Sequence, residues 1–295
     1  MQQTYTKKLE SAKDMERPLS IENVIKKFPN FRFTEKKKIG EGSYGIVSKA
    51  YDTQEKRWVA LKKIKMVKED LNDGLPHTFM REVTILSTIG KHENVIGILD
   101  IFFEDNSFII AMEYADKGDL QKFLYQQKGY LSFASVRSIL TQILEGVNFM
   151  HSKGLIHRDL KTSNILITAK GRVMIADFGL SKYARMPHVE QTLAIQSLWY
   201  RPPEILLGST FYTFSVDYWS IGIIAHELIH KITPYGGTSE IDMLIKIFGH
   251  RGTPKFNELE DFQISKIKAW LDFSSKEQRC GSRRSLSYNI DTYQY

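Results

Sequence analysis

From Phe33 to about Asp70 the pattern is β-like, because apolar residues such as Ile39, Val47 and Leu61 are separated by glycines and by a short polar turn. Short apolar runs bounded in this way are typical of β-strands. Residues 80–89 then place apolar side chains at helical spacing. Two further strand-like runs follow, Val95 to Phe103 and Phe108 to Tyr114. The pattern predicts a β-rich lobe that carries one helix.

After Gly118 the apolar spacing becomes mainly helical, most clearly at Val136 to His151 and Val216 to Lys231. We therefore predict an α+β fold in which a small β-rich lobe precedes a larger helical lobe. The first residues are polar apart from a short amphipathic patch around Ile21 to Phe28. The predicted segments are an N-terminal extension over residues 1–32, a first lobe over 33–115, a second lobe over 116–254 and a weakly patterned segment over 255–295.

Composition and charge narrow the function classes. The 295 residues include one cysteine, Cys280, which excludes an intramolecular disulfide framework and a cysteine-rich metal cluster. The net charge is +7, but the basic residues form short separate clusters, which favours solvated faces over a nucleic-acid groove. The N-terminus lacks the apolar stretch of a secretory signal, and His226, Glu227 and His230 interrupt the longest apolar run. We expect a soluble intracellular protein that binds neither nucleic acid nor membrane.

The segment from Gly40 to Val47 fits the pattern G-x-G-x-x-G-x-V. Glycines allow a tight turn and let backbone N–H groups approach phosphate oxygens. The same glycine spacing also occurs in ordinary hairpins and in dinucleotide-binding folds, where it opens a helix. Here the glycines lie between two strand patterns, which favours a lid over the phosphates of ATP.

Lys62 ends the apolar strand segment Val59-Ala60-Leu61-Lys62 and needs a reason to face inward. The α- and β-phosphates of a nucleotide provide one, because an ammonium group forms strong charge-assisted hydrogen bonds with phosphate oxygens. Glu82, on the following predicted helix, offers a carboxylate that would fix the lysine. The alternative is a surface lysine beside Lys63, and the glycine segment upstream favours phosphate binding.

The segment from Ile156 to Asn164, IHRDLKTSN, carries the most specific chemical signal. Asp159 can accept or orient the proton of a substrate hydroxyl during phosphoryl transfer, and Lys161 supplies positive charge near the γ-phosphate. Asn164 offers a neutral oxygen ligand for Mg²⁺, and Asp177 of the later Asp-Phe-Gly would bridge Mg²⁺ to the phosphates. Both motifs in this order, downstream of the glycine segment, predict a phosphoryl-transfer enzyme.

From Phe33 to Pro254 these motifs resemble the eukaryotic protein kinases, and most closely the cyclin-dependent kinases. Lys161 is the residue that the Ser/Thr-specific branch carries, and residues 198–204 resemble the end of that family's activation segment. Asp217 to Gly222 resembles the helix whose aspartate braces the catalytic loop. The resemblance implies a bilobal kinase fold, ATP and Mg²⁺ as cofactors, and protein substrates in which Ser or Thr precedes proline, with Arg201 shaping the proline pocket.

The resemblance also implies a nucleotide site. Met112 would lie deepest against the adenine, and a buried strand end is an equally good explanation for this methionine. The residues implied to bind ATP are Ile39, Gly40, Glu41, Gly42, Ser43, Tyr44, Gly45, Ile46, Val47, Ala60, Lys62, Met112, Glu113, Ala115 and Leu166. The residues implied to act in catalysis are Lys62, Glu82, Asp159 and Lys161, and those implied to bind the metal are Asn164 and Asp177.

The segment from Pro76 to Glu82 is similar to the helix that cyclins grip, so a cyclin-type regulatory subunit is implied. Met80 would be an apolar contact to that partner, and the alternative is that Met80 packs in the core. A role in the cell cycle, with residence in the nucleus, the cytoplasm or both, is expected from the family alone.

Thr192 lies 12 residues before Glu204, at the position of the family's activating phosphothreonine. The basic residues implied to receive its phosphate are Arg81, Arg158 and Lys182. Ser43 and Tyr44 match positions of inhibitory phosphorylation in the family, and their alternative role is to cover the phosphates of ATP.

The chain also departs from the family. The resemblance implies further helices after residue 254 and an arginine that pairs with Glu204, but no arginine late in the chain has the right context. We therefore expect a C-terminal lobe that is truncated, with a catalytically impaired kinase-fold scaffold as the alternative function. A mitogen-activated kinase is disfavoured, because Leu193 and Ala194 follow Thr192 where that group carries Thr-x-Tyr.

Overall fold

We obtained a computed structural model that describes residues 25–27, 29, 31–42, 45–65, 77–104, 107–184, 197–209 and 213–252. Over these ranges a β-rich lobe precedes a helical lobe, so the predicted α+β architecture is confirmed. None of the helices in these ranges is long and apolar enough to cross a membrane.

A six-stranded sheet forms the first lobe. Its strands are β1 (Ile25–Lys27), β2 (Phe33–Gly42), β3 (Gly45–Asp52), β4 (Arg57–Lys65), β5 (Ile98–Glu104) and β6 (Ser107–Glu113). They lie in the order β1-β5-β6-β4-β3-β2. Neighbouring strands are antiparallel except β1 and β5, which are parallel. The β-like segments of the sequence therefore form the strands of this sheet. Strand β6 is almost entirely buried.

Strand β1 extends the sheet into residues that the sequence pattern assigned to the N-terminal extension. Lys26 lies beside Asp100 with their Nζ and Oδ1 atoms 2.5 Å apart. Arg32 binds Asp52 at 2.8 Å and Asp100 at 2.7 Å, and its side chain is only 11% exposed. These ion pairs come from residues far apart in sequence, which explains why no local pattern predicted the strand.

Helix α1 (His77–Thr88) covers the sheet near β5. Its apolar residues Val83, Ile85 and Leu86 are buried, whereas Thr84 on the other face is exposed. Met80 is half-buried and packs against the main hydrophobic core. The packing explanation for Met80 is therefore correct for the isolated chain, and a contact with a partner stays a prediction.

The second lobe contains five helices in the described ranges: α2 (Leu120–Gln126), α3 (Phe133–Ser152), α4 (Pro203–Leu206), α5 (Ser215–His230) and α6 (Glu240–Arg251). Helices α2, α3 and α6 begin after Asp119, Ser132 and Ser239, whose side chains accept a hydrogen bond from a backbone N–H of the first turn. Helix α5 buries eight of its 16 residues, the largest number among the five.

Short strands carry the loops between these helices. They are β7 (Leu155–Ile156), β8 (Ile165–Ile167), β9 (Val173–Ile175) and β10 (Lys182–Tyr183). Strand β7 pairs with β10 and β8 pairs with β9, both antiparallel. Two 3₁₀ turns, Thr162–Asn164 and Leu198–Tyr200, lie beside them. These short strands and turns flank the segments that the sequence singled out for chemistry.

One hydrophobic cluster connects the two lobes. It includes Ile64 and Met112 of the sheet, and Ile143 and Ile224 of the helical lobe. At Gly146 of α3, an added Cβ atom would approach the carbonyl oxygen of Asn94 to 2.7 Å, so only glycine lets this helix pack closely against the loop that follows α1. Apolar side chains of the two lobes therefore pack in one continuous core.

Candidate active site

The predicted glycine segment forms the closed end of the β2–β3 hairpin, where Gly42 lies opposite Gly45. An added Cβ atom at Gly45 would lie 2.2 Å from the carbonyl oxygen of Lys63, so this position requires glycine. The hairpin carries the predicted nucleotide-binding residues Ile39, Gly40, Glu41, Gly42, Gly45, Ile46 and Val47. The intervening Ser43 and Tyr44 lie outside the described residues.

Lys62 lies on β4 between Val47 of β3 and Ile110 of β6. Its Nζ atom is 2.6 Å from Oε2 of Glu82 on α1, and the two side chains are 14% and 5% exposed. The ion pair that the sequence suggested is thus formed, and it connects the sheet to the helix. Because Lys62 retains part of its exposure, its ammonium group can reach water if the carboxylate is removed.

The residues predicted to surround the adenine lie where β4, β6 and β8 meet. Ala60 is opposite Met112 in the register of β4 and β6, and both side chains are buried. After β6 the chain continues through Glu113 and the buried Ala115. It then runs alongside β8, a later strand that carries the half-buried Leu166. The N–H group of Lys117 donates to the carbonyl of Ile167 at 3.2 Å, and that of Ile167 donates to the carbonyl of Gly118 at 2.9 Å. This segment therefore acts as the connection between the lobes.

The loop after β7 is held by a buried carboxylate on α5. Asp217 is fully buried, and its two oxygens accept the backbone N–H groups of His157 and Arg158, each at 2.9 Å. Arg158 has a positive φ of 67°, which costs energy for a residue with a side chain. His151 adds a third contact, with its Nε2 atom 2.8 Å from Asp217. The aspartate thus stabilises a strained loop, in agreement with the bracing role that the sequence predicted.

Asp159 lies at the centre of this loop. Its Oδ2 atom accepts a hydrogen bond from Nδ2 of Asn164 at 3.0 Å and lies 2.9 Å from Nζ of Lys161. Its Oδ1 atom accepts the backbone N–H of Ser197 at 3.0 Å. Both oxygens are therefore oriented by protein groups, and such a carboxylate can position a hydroxyl for attack on a phosphoryl group.

The predicted metal ligands are adjacent. The backbone N–H of Ala176 donates to the carbonyl of Asn164 at 2.9 Å, which places Asp177 next to Asn164. The Nδ2 atom of Asn164 donates to Asp159, which leaves Oδ1 as its ligand atom. Asp177 is half-buried, has a positive φ of 67° and forms no ion pair within the described residues. One amide and one carboxylate oxygen suit Mg²⁺, which takes its other ligands from phosphates and water.

Two of the predicted regulatory residues converge after the Asp-Phe-Gly segment. Nη1 of Arg81 donates to the carbonyl of Gly179 at 2.9 Å, and Nε of Arg158 donates to the carbonyl of Leu180 at 2.7 Å. Lys182 follows on β10, opposite Ile156. The structure therefore brings Arg81 and Arg158 to consecutive carbonyls, with Lys182 two residues later. Thr192 lies outside the described residues.

Several residues at the site were not identified from the sequence. Ser197 contacts both Asp159 and Lys161, the latter at 2.9 Å from its Oγ atom. Arg172, in the turn between β8 and β9, binds Glu113 at the end of β6. The position of Ser197, immediately before the Leu-Trp-Tyr-Arg-Pro-Pro-Glu motif, was an available signal for the first contact. No signal existed for the second, which joins two lobes across a long sequence separation.

Glu204 of that motif is half-buried on α4. Burial raises the pKa of Glu204 above its usual range. Within the ranges that the structure describes, no arginine or lysine forms an ion pair with it. The arginines that the sequence offered as late candidates lie outside those ranges.

Known proteins resemble this chain over most of its length. The family model of the protein kinase domain matches residues 33–281. Cell division control protein 2 homolog 3 of Trypanosoma brucei brucei is 40% identical over 238 residues, which cover 81% of this chain and 75% of that protein. Cyclin-dependent kinase 1 of Encephalitozoon cuniculi is 38% identical over 242 residues, which cover 80% of each.

A solved structure supports the same assignment. The structure of the CAK complex from Chaetomium thermophilum bound to ATP-gamma-S matches with a TM-score of 0.72 and 31% identity, over 79% of this chain and 74% of that one. These relatives confirm the family that the sequence motifs indicated and favour an enzyme over a scaffold. The chain belongs to the protein kinase family, and it is a Ser/Thr protein kinase of the cyclin-dependent type that phosphorylates proteins with ATP.

Proposed function

We propose that this kinase phosphorylates Ser or Thr followed by proline, and that it uses Mg²⁺ with ATP. The observation that carries the proposal is the contact between Asp159 and the backbone N–H of Ser197, at 3.0 Å. Ser197 begins the segment that resembles the peptide-docking end of the activation segment. The carboxylate of Asp159 therefore contacts the segment that would receive the substrate.

The proline preference is assigned to Arg201. Its Nη1 atom lies 2.5 Å from Oε1 of Glu240, and the indole of Trp199 donates to the carbonyl of Gly237 at 2.8 Å. These contacts anchor the segment to the region around α6. An anchored segment supports selectivity, because a pocket that is already formed loses less entropy when the peptide binds.

In this proposal Asp159 orients the substrate hydroxyl, Lys161 balances charge near the γ-phosphate and Lys62 holds the α- and β-phosphates. Asn164 and Asp177 would hold Mg²⁺, which supplies positive charge where charge develops on the phosphates. The nucleotide itself would lie between the β2–β3 hairpin and the connection between the lobes.

We also propose a cyclin-type regulatory subunit that binds helix α1. The ion pair between Lys62 and Glu82 supports this, because the position of α1 decides whether the lysine is held at the nucleotide. The relatives named cyclin-dependent kinase and CAK complex support the same class of partner. Pro76, at the predicted start of the contact, lies outside the described residues.

Phosphorylation is proposed as the second level of control. A phosphate on Thr192 would carry close to two negative charges, which Arg81, Arg158 and Lys182 would balance. Two of these cations already lie beside the start of the activation segment. Phosphate on Ser43 or Tyr44 would instead lie in the hairpin above the nucleotide and inhibit the enzyme. Residence in the nucleus or cytoplasm and the four segments given above remain proposals of the same kind.

The test is transfer of labelled γ-phosphate from Mg-ATP to a Ser-Pro peptide, with and without a mixture of cyclins, and with a Ser-Ala peptide as the control for proline. Lys62→Met and Asp159→Asn are expected to abolish transfer. We expect the cyclin mixture to stimulate transfer and Thr192→Ala to reduce the stimulated rate. Equal rates on the two peptides would reject the proline preference.

Each part of the proposal fails separately. An unchanged rate for Thr192→Ala would reject the phosphorylation switch, and a rate that no cyclin alters would reject the regulatory subunit. Transfer that persists after Mg²⁺ is removed with a chelator would reject the metal. No transfer at all, in a protein that binds ATP and melts cooperatively, would indicate the scaffold.

A further inference from the structure

A lysine of the first lobe lies against two aromatic rings, apart from the residues assigned to phosphoryl transfer. The Nζ atom of Lys49 on β3 is 3.7 Å from the centroid of the Trp58 ring on β4 and 5.1 Å from the centroid of the Tyr114 ring. Tyr51 packs edge to face against Trp58, with ring centroids 5.3 Å apart. Tyr114 is the first residue after β6, on the connection between the lobes. Lys49, Trp58 and Tyr114 form what we call the cation–aromatic clamp.

The strand register places the clamp on the face of the sheet that carries the predicted adenine contacts. Residues directly opposite in an antiparallel pair share a face, and so do residues two apart along a strand. Lys49 lies opposite Ala60, while Val47 is two residues from Lys49 and Trp58 is two residues from Ala60. Lys49 and Trp58 therefore continue the face that carries Val47 and Ala60. Tyr114 joins this face to the connection between the lobes.

Ordinary surface packing is the alternative, and the burial of the three side chains argues against it. Lys49 is half-buried, and it takes part in none of the ion pairs found in the ranges that the structure describes. Trp58 is 37% exposed, and burial raises the pKa of Tyr114, to which the charge of Asp116 adds. Aromatic rings attract an ammonium group through their negative faces, and they do so more strongly where water is excluded. The rings therefore take the place of a carboxylate partner.

We propose that Lys49 is a positioning residue for the nucleotide, because its contacts with Trp58 and Tyr114 hold the sheet and the connection between the lobes at the separation that fits an adenine ring. Tyr114 lies between Glu113 and Ala115, which are predicted to bind ATP. A clamp that is formed before the ligand arrives reduces the entropy that is lost on binding. The inference rests on the nucleotide site of the proposed function and adds residues that this site does not include. Its effect is expected in the affinity for the nucleotide rather than in kcat.

The experiment compares two lysines that lie opposite each other on β2 and β3. Lys49→Met removes the ammonium group and keeps a long unbranched side chain, whereas Lys49→Arg retains a cation that can stack on the rings. The matched control is Lys37→Met, because Lys37 is exposed and lies directly opposite Lys49. Either methionine variant removes one positive charge and the same repulsion between the two lysines. For each protein we would measure the Kd of ADP and of adenosine by calorimetry, the KM values for ATP and for peptide, and kcat.

Lys49→Met is expected to raise the Kd of ADP and the KM for ATP about fivefold, which is the factor expected for the loss of one partly buried cation–π contact. The Kd of adenosine should rise by the same factor, because adenosine has the adenine ring but no phosphate charge. The value of kcat and the KM for the peptide should stay within about twofold, since the groups assigned to phosphoryl transfer are unchanged. Lys49→Arg and Lys37→Met should stay within about twofold of the unmodified enzyme in every measurement.

The binding measurements separate this inference from the rest of the proposed function, because they apply even to a protein that phosphorylates no peptide. A Kd of ADP that Lys49→Met leaves unchanged would overturn the proposal. An equal loss of affinity in Lys37→Met, or a loss for ADP without one for adenosine, would also overturn it, because either result would indicate a general attraction between lysines and phosphate charge. If the unmodified protein bound neither ADP nor adenosine, the proposed nucleotide site would be rejected together with the clamp.

Discussion

Helices α1 and α5 each present one acidic side chain to the site, but they are embedded very differently. Helix α1 buries one face against the sheet and leaves Thr84, Ser87 and Thr88 exposed. Helix α5 buries eight of its 16 residues, including Asp217. Glu82 contacts Lys62 through one ion pair, whereas Asp217 accepts two backbone N–H groups and contacts His151.

This difference in burial indicates that α1 can move and that α5 cannot. An amphipathic helix at the edge of a lobe can shift as a unit, because few buried contacts are lost when it does. A helix that buries eight side chains cannot shift without opening the core. Glu82 is therefore suited to report a change in the position of α1, and Asp217 is suited to fix the catalytic loop permanently.

The largest effect is expected from Asp217→Asn, which tests the fixed component. The amide would present an N–H group to one of two buried backbone N–H donors, and a buried donor without an acceptor costs about 1–3 kcal/mol. The strained conformation of Arg158 would lose its support as well. We expect a loss of about 3 kcal/mol in the free energy of unfolding and at least a hundredfold loss of kcat, measured by denaturant titration and peptide phosphorylation.

The matched control is Asp242→Asn at the start of α6. Asp242 also accepts a backbone N–H, from Thr238 at 2.9 Å, but it is exposed to solvent. We expect its loss to cost no more than about 1 kcal/mol. If Asp217→Asn were no more damaging than Asp242→Asn, the fixed component would not be needed, and the comparison of the two helices would fail.

Glu82→Gln tests the movable component, and it should separate activity from stability. Removing the carboxylate leaves Lys62 without a partner to orient it, and loss of one such electrostatic contact commonly lowers kcat about a hundredfold. Lys62 is 14% exposed and can turn to water, so the free energy of unfolding should change by less than about 1 kcal/mol.

Thr84→Ala on the exposed face of the same helix is the control, because it changes no contact of Lys62. Its kcat should stay within about twofold of the unmodified enzyme. A Glu82→Gln protein that unfolded as readily as Asp217→Asn would show that α1 is as fixed as α5. In that event the regulatory role proposed for α1 would lose its physical basis.

The same contrast explains what the sequence could predict. Lys62, Asp159, Asn164 and Asp177 lie in short motifs whose spacing reflects local geometry, and the structure forms the contacts of Lys62 with Glu82 and of Asp159 with Asn164. The glycine at position 45 was predicted from the same kind of motif, although the structure requires it because the carbonyl of Lys63 on β4 approaches so closely. Chemistry that is encoded within a few residues is therefore readable from the chain alone.

Contacts between segments far apart in the chain could not be predicted from the sequence. Strand β1 depends on Asp100, and the connection between the lobes includes an ion pair between Glu113 and Arg172. The sequence gives no spacing rule that joins Thr162 to Glu227, which are 65 residues apart. Each of these contacts results from the arrangement of whole elements, and the pattern of apolar positions fixes that arrangement only coarsely.

The smallest expected effect concerns the pH dependence of stability, and it compares two acids whose pKa burial raises, Glu227 of α5 and Glu204 of α4. Burial raises the pKa of Glu227 above its ordinary value of 4.5, and the hydroxyls of Tyr200 and Thr162 offset only part of that effect. A raised pKa in the folded state means that folding favours the protonated form. The stabilisation is therefore fully present below pH 4.5 and is lost as the pH rises through the folded pKa.

Glu227→Gln removes this titration, so its free energy of unfolding should fall less between pH 4.5 and pH 8 than that of the unmodified protein. We expect a difference of about 1 kcal/mol or less, measured by denaturant titration at several pH values. Glu204→Gln should give a change of the same sign, because burial also raises the pKa of Glu204, and the two effects should add. A difference of the opposite sign would mean that the two hydroxyls hold the charge of Glu227 better than water does. Burial would then not disfavour the charge of Glu227 at its position on α5.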